Sequence, residues 1–138
     1  MMAAMSHPSA DGNKGLESLD RPLSLQEREL LIWLIEHSGS EDKPQLRSQA
    51  ESLSVRKKCT CGCPTVYFAL NGVPVNKKRE RLIADYLATV DGQDVGVMLF
   101  ESDGLLSSLE VYSCAGSDKP FGLPEIATLH TFEEHSKH

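Results

Sequence analysis

The chain has 138 residues, 40% of them apolar and 25% charged, with a formal net charge of −6. That length suits one domain around one two-layer core, and the acidic balance argues against a general nucleic-acid binder. The longest unbroken apolar run, Leu30 to Ile35, is six residues, far short of the roughly 20 that a membrane-spanning helix needs.

Residues 1–20 mix Ala, Ser, Gly, Asn, Pro and His, with no basic segment followed by an apolar one. They are read as a disordered arm and not as a secretion signal. The expected compartment is therefore the cytoplasm, where four cysteines stay thiols or become ligands before they become bridges.

Residues 21–132 are expected to form a single α+β domain, opening with a helical hairpin. Leu23-Ser24-Leu25-Gln26-Glu27 has the pattern of a capping box, so the first helix begins near Leu25. Leu30, Leu31, Leu34 and Ile35 make its apolar stripe. Ile32 and Trp33 lie off that stripe, so the helix needs cover on more than one side. It is expected to stop at His37-Ser38-Gly39, with Gly39 left-handed. A second helix starts at Asp42-Lys43-Pro44 and runs to Leu53, with Leu46, Ala50 and Leu53 on one face.

From Val55 the apolar rhythm changes from three or four residues to two. Thr65 to Leu70 reads as a strand, and Asn71-Gly72 as a turn. Leu82 to Val90, Val95 to Glu101 and Leu105 to Ser113 are three further strands joined at Asp91-Gly92 and Asp103-Gly104, the dipeptides that favour tight hairpins. In the last of them Leu105, Ser107, Leu109 and Val111 are expected on one face, opposite Leu106, Ser108, Glu110 and Tyr112. The resulting architecture is an N-terminal helical hairpin on a four- to five-stranded antiparallel meander. The segment from Phe121 to Phe132 is assigned to the other sheet face, with a homodimer as the alternative cover. Residues 133–138 are polar and expected to fray.

The most distinctive motif is Cys59-Thr60-Cys61-Gly62-Cys63-Pro64, three thiols in five residues between two strands. As thiolates they suit zinc or copper, because soft sulfur selects those ions. A closed zinc site wants a fourth ligand, for which Cys114, at the end of the last strand, is the candidate. The alternate spacing differs from the Cys-x-x-Cys of thioredoxin-like proteins. A disulfide between Cys59 and Cys63 requires the turn to bring their α-carbons within about 7 Å, and small half-buried thiols around a tight turn, with no chemistry, are the other reading.

Other chemistry is thin. Asp85 and Glu110 are carboxylates within strands, where surface ion pairing is the default reading. No Ser/His/Asp arrangement, phosphate loop or base-stacking platform is evident, so a catalytic site is not expected. Charge is segregated, however: residues 43–81 carry nine basic against two acidic residues, net +7, leaving −13 for the remainder. Lys77, Lys78 and Arg79, with Trp33, are accordingly the candidate partner-binding residues, although basic side chains can equally neutralise acidic neighbours within the fold.

Leu25 to Leu34, the turn Cys61-Gly62-Cys63-Pro64 and the strand Asp103-Gly104-Leu105-Leu106-Ser107-Ser108-Leu109-Glu110-Val111-Tyr112 resemble a family of small bacterial proteins of uncharacterised function. That resemblance implies a stand-alone cytoplasmic protein and brings no activity with it. It points to the Cys61 to Cys63 turn, and sets Cys59 and Cys114 apart from the shared motif. The expected function is a non-catalytic protein-interaction module with a protein partner. The alternative is a thiolate metal protein using Cys59, Cys61 and Cys63, and a thiol-dependent enzyme stands third.

Overall fold

A computed structural model describes residues 16–117 and 119–132. The expectations for residues 1–15 and for the tail at 133–138 lie outside the described residues. The elements among these residues are β1 (Leu16–Pro22), α1 (Leu25–Glu36), α2 (Lys43–Ala50), β2 (Leu53–Cys59), β3 (Val66–Leu70), β4 (Val73–Pro74), β5 (Glu80–Val90), β6 (Gln93–Ser102) and β7 (Leu105–Ser113), with a 3-10 turn at Ile126–Thr128.

Turn chemistry sets the hairpins. Asp91 and Gly92 have φ of 51° and 80°, and Asp103 and Gly104 have 54° and 85°. Positive φ at both central residues is what a two-residue type I′ hairpin requires. Asn71 and Gly72 repeat it, at 52° and 81°, between β3 and β4. All strand pairs are antiparallel, in the order β1-β2-β3-β7-β6-β5. Because β2 occupies one edge of β3 along its length, β7 and β4 divide the other, β7 meeting Val66 and Tyr67 and β4 meeting Ala69 and Leu70.

The helical hairpin on a four- to five-stranded meander is thereby corrected. The described residues are mostly sheet, with seven strands and two short helices among them, and the first described element is a strand. Leu16 to Asp20, assigned above to a disordered arm, belong to β1. β1 reads Leu-Glu-Ser-Leu-Asp-Arg-Pro and has little apolar surface to announce it. It is held by backbone pairing with β2 and by Arg21, whose guanidinium closes two 2.8 Å bonds on the Glu27 carboxylate of α1.

The two helices lie antiparallel, tied by Arg28 to Glu51 at one end and by Arg47 to Glu36 at the other. They cover one sheet face. Leu30, Leu31, Leu34 and Ile35 of α1 and Leu46 and Ala50 of α2 pack in one cluster with Val55, Phe68, Val95, Val97, Leu99, Leu109 and Val111. The capping box forms: the Ser24 hydroxyl accepts the Glu27 N–H at 3.0 Å, and the Glu27 carboxylate accepts the Ser24 N–H at 2.8 Å. At the other end Gly39 is not left-handed. The Ile35 carbonyl instead accepts the Ser38 N–H at 3.2 Å and the Ser38 hydroxyl at 2.8 Å, and the Trp33 carbonyl accepts the His37 N–H at 3.1 Å.

Glu27 joins the first strand to the first helix, which makes it a source of pH dependence. Burial alone would raise its carboxyl, but the Arg21 guanidinium and the Ser24 backbone and hydroxyl outweigh that, and the net shift is downward from an ordinary 4.5. A depressed folded value adds stability above the ordinary one and loses it as pH falls through the folded value. Arg21 is partly exposed, so the pair is screened. Glu27→Gln is expected to cost about 1–2 kcal/mol at neutral pH. Urea melts of this variant should lose less stability than wild type between neutral and acidic pH.

Two further expectations change. A bulge sets Phe100 opposite Ser108 and Glu101 opposite Leu106, so Ser107 is the extra residue of β7. The bulge puts Leu106, not Leu105, in the core with Leu109 and Val111, and leaves Leu105 exposed. The segment after β7 does not cover the outer sheet face. It runs beside α1, where the Leu123 carbonyl accepts from Gln26, and ends on β5, where Leu87 and His130 exchange two 2.9 Å backbone bonds. This strap supplies part of the second cover that α1 needs: Ile126 shares a groove with Leu25, Ile32 and Trp33. Among the described residues no helix is long and apolar enough to cross a membrane.

Candidate metal centre

β2 ends at Cys59, β3 begins at Val66, and the six residues between them turn back on themselves. Gly62 makes this possible with φ of 105°, a conformation that other residues rarely adopt. The turn is pinned from outside: the Gly62 carbonyl accepts the Phe121 N–H at 3.0 Å, and an added Cβ at Gly62 would sit 2.9 Å from the Pro120 Cα. Thr65 fixes the far side. Its hydroxyl accepts the Val111 N–H at 2.9 Å and donates to the Val111 carbonyl at 3.1 Å, joining β7 to the start of β3.

The consequence is a compact thiol cluster. The sulfurs of Cys59, Cys61 and Cys63 all lie within 4.8 Å of one another, with Cys61 Sγ and Cys63 Sγ 2.9 Å apart. Backbone N–H groups point at sulfur as well, from Cys61 to Cys59 Sγ at 3.3 Å and from Cys63 to Cys61 Sγ at 3.4 Å. Such donors favour the thiolate over the thiol. The three sulfurs divide the burden unequally. Burial first, then hydrogen bonding with its two neighbours, pushes Cys59 up to about 12. Hydrogen bonds from the Cys59 and Cys63 side chains hold Cys61 below its ordinary value, against a smaller cost of burial. A cation bound here would displace the protons of these thiols.

The donor set fits a thiophilic ion. Tetrahedral Zn–S bonds of about 2.3 Å place neighbouring sulfurs about 3.8 Å apart, a spacing reached here by small side-chain rotations. Cys61 is exposed, so one direction of approach is open. The turn lies between two depressions. One, of about 440 Å³, is bordered by Glu17, Arg21, Glu27 and Lys58, and the other, of about 260 Å³, by Tyr112, Lys119 and Phe121.

Of the candidate ligands, the structure brings Cys59, Cys61 and Cys63 together and leaves Cys114 outside the cluster. Cys114 follows β7, exposed, with its N–H on the Asp94 carbonyl, and among the described residues no fourth ligand joins the three sulfurs. Sequence reasoning missed the residues that clamp the turn from outside. Pro120 and Phe121 are nearly 60 positions from Gly62 and carry no local signal, whereas Thr65 was visible only as a strand residue.

The candidate partner residues are dispersed. Lys77 lies 2.9 Å from Glu110, 3.2 Å from Glu80 and 4.5 Å above the Tyr67 ring. Burial lowers its ammonium, but Glu110 and Glu80 more than offset that and the net shift is upward. Arg79 approaches Asp103 at 3.8 Å, and the Lys78 backbone N–H is held by the Asn76 side chain. Trp33 is on the helix side, its ring stacked on His37 at 3.9 Å and edge-on to Tyr86 at 5.0 Å. Glu110 is the partner of Lys77, and Asp85, on an exposed position of β5, is raised by burial alone.

The fold and site together define a seven-stranded antiparallel sheet protein, helix-backed on one face, with a three-thiol turn between its second and third strands. No protein-family model, curated protein or solved structure matches the chain.

Proposed function

We propose that the protein binds a metal through thiolates, with Cys59, Cys61 and Cys63 taking one zinc or copper(I) ion in a reducing compartment such as the cytoplasm. The observation that carries this reading is three sulfurs within 4.8 Å of one another on a turn whose backbone is pinned at Gly62. Thiolate sulfur selects zinc and copper(I) over hard cations. Three protein ligands leave zinc an open fourth position, while copper(I) accepts three thiolates alone.

Reduced protein reconstituted with zinc or copper(I) under anaerobic conditions is expected to retain one ion per chain by elemental analysis. Cys61→Ser and Cys63→Ser are expected to lose it, and Cys114→Ser to keep it. Free metal at a hundred times its dissociation constant would stabilise the fold by about 2.7 kcal/mol, an increment absent from the two variants. Wild-type protein that stays metal-free with both ions in excess would dispose of the reading.

A second reading, a non-catalytic interaction module, is favoured by the groove of about 440 Å³ along α1, lined by Ile32, Trp33 and Ile126 beside Leu25, which is 71% exposed. It would take an apolar segment of a partner protein. Trp33 is the single tryptophan of the chain, so its emission is expected to shift when a partner isolated from the host is added. Unchanged emission in a confirmed complex would remove the groove from this role.

A further inference from the structure

We infer that Cys61 and Cys63 form a reversible disulfide, which makes the turn a thiol–disulfide exchange site for a small organic disulfide of the glutathione class. This shares the turn with the metal reading but does not depend on it, because exchange needs the thiols and no ion.

Geometry carries the inference. The two sulfurs are already 2.9 Å apart, so closing a bond between them asks for side-chain rotation and leaves β2 and β3 where they are. Gly62 stands between the two cysteines at φ of 105°, clamped by Phe121 and seated on Pro120, and this holds both sulfurs on one side of the turn. Pre-organisation of that kind makes the second, intramolecular step fast. Exposure divides the roles, since Cys61 is exposed whereas Cys63 is half-buried. Cys61 therefore meets the incoming disulfide, and Cys63 resolves it. The neighbouring depression of about 260 Å³, with Tyr112 and Phe121 as walls and the Lys119 cation at its border, offers a place for the organic carboxylate-bearing half.

The step balances. Cys61 thiolate attacks one sulfur of R–S–S–R, forming Cys61–S–S–R and releasing R–S⁻. Cys63 thiolate then attacks Cys61 Sγ, which breaks the Cys61–SR bond and releases the second R–S⁻. The two protons lost by the cysteines end on the two R–S⁻ groups, so the protein gives up two electrons and the organic disulfide becomes two thiols. The bridge closes a loop of only three residues. Loop-closure stabilisation grows with loop length, so this bridge gains little of it and stays reducible, as an exchange site must. Bridge and metal also exclude each other, because both use the same sulfurs.

The test uses metal-free, fully reduced protein mixed with oxidised glutathione, quenched with acid and alkylated, then read by intact mass and peptide mapping. Wild type is expected to lose two hydrogen masses, with the bridge mapped to Cys61 and Cys63, and to regain them in excess reduced glutathione. Cys63→Ser should stop at a glutathione adduct on Cys61, and Cys59→Ser should still close the bridge. Wild type that halts at the adduct, or that bridges through Cys59 or Cys114, overturns the inference even if a variant fails to fold. Metal uptake without bridging removes this inference alone, and bridging without metal uptake removes the metal reading alone.

Discussion

Phe68→Ala is expected to destabilise the protein by about 3–5 kcal/mol, the usual cost of emptying a buried aromatic site. Phe68 is 1% exposed and heads the fully buried side chains in volume. It sits in the middle of β3 opposite Val55, in the cluster that α1 and α2 close from above. Its carbonyl is also engaged, accepting from Val75 N–H at 3.2 Å and from Arg56 Nε at 3.1 Å, so the backbone there has little freedom to collapse into the space. Domains of this size are stable by only about 5–15 kcal/mol, and the variant would keep a small part of that. The reading is a urea midpoint that falls while the slope holds. Val73→Ala, at a side chain 66% exposed on β4, should stay within about 0.5 kcal/mol of wild type. A comparable loss at both sites would mean that β3 is not the packed centre of the sheet.

How much of this was legible depended on whether the signal was local. The Asp91-Gly92 and Asp103-Gly104 hairpins, the Ser24 and Glu27 capping box and the clustering of three cysteines on one turn each follow from neighbouring residues, and the sequence carries them openly. β1 carries no such signal, and β4 has only the Asn71-Gly72 turn before it. Both are strands by virtue of an edge to pair with, β1 on β2 and β4 on the part of β3 that β7 leaves uncovered. Their absence from the sequence reading turned a mostly-sheet protein into a helical hairpin on a smaller sheet. The bulge at Ser107 was hidden in the same way, because alternation read across it assigns Leu105 and Leu106 to the wrong faces. At the thiol turn the ligands were legible and their setting was not. Cys114 looked available because it ends a strand, yet which sulfurs meet is decided by the turn that Phe121 and Pro120 clamp from a distant part of the chain.

Gly62→Ala is expected to damage both the fold and the thiol cluster, by about 2–3 kcal/mol and by a tenfold or greater loss of metal affinity. Two causes add at this position. A φ of 105° is strained for any residue with a Cβ, and the new methyl would meet the Pro120 backbone at 2.9 Å and its ring carbons at 3.2 Å. Relief requires the turn to move off Pro120, which breaks the Gly62 bond to Phe121 and carries Cys61 and Cys63 away from Cys59. A metal would have to draw the displaced turn back, and each 1.4 kcal/mol of that work is about tenfold in affinity. Gly92→Ala supplies the control: φ there is 80° but nothing lies within 4 Å of the added Cβ. It should cost about 1–2 kcal/mol, from backbone strain alone, and leave metal affinity unchanged. Calorimetric titration of both variants, paired with their urea melts, separates strain from contact. Equal affinity in the two would show that the clamp by Pro120 and Phe121 does not position the sulfurs.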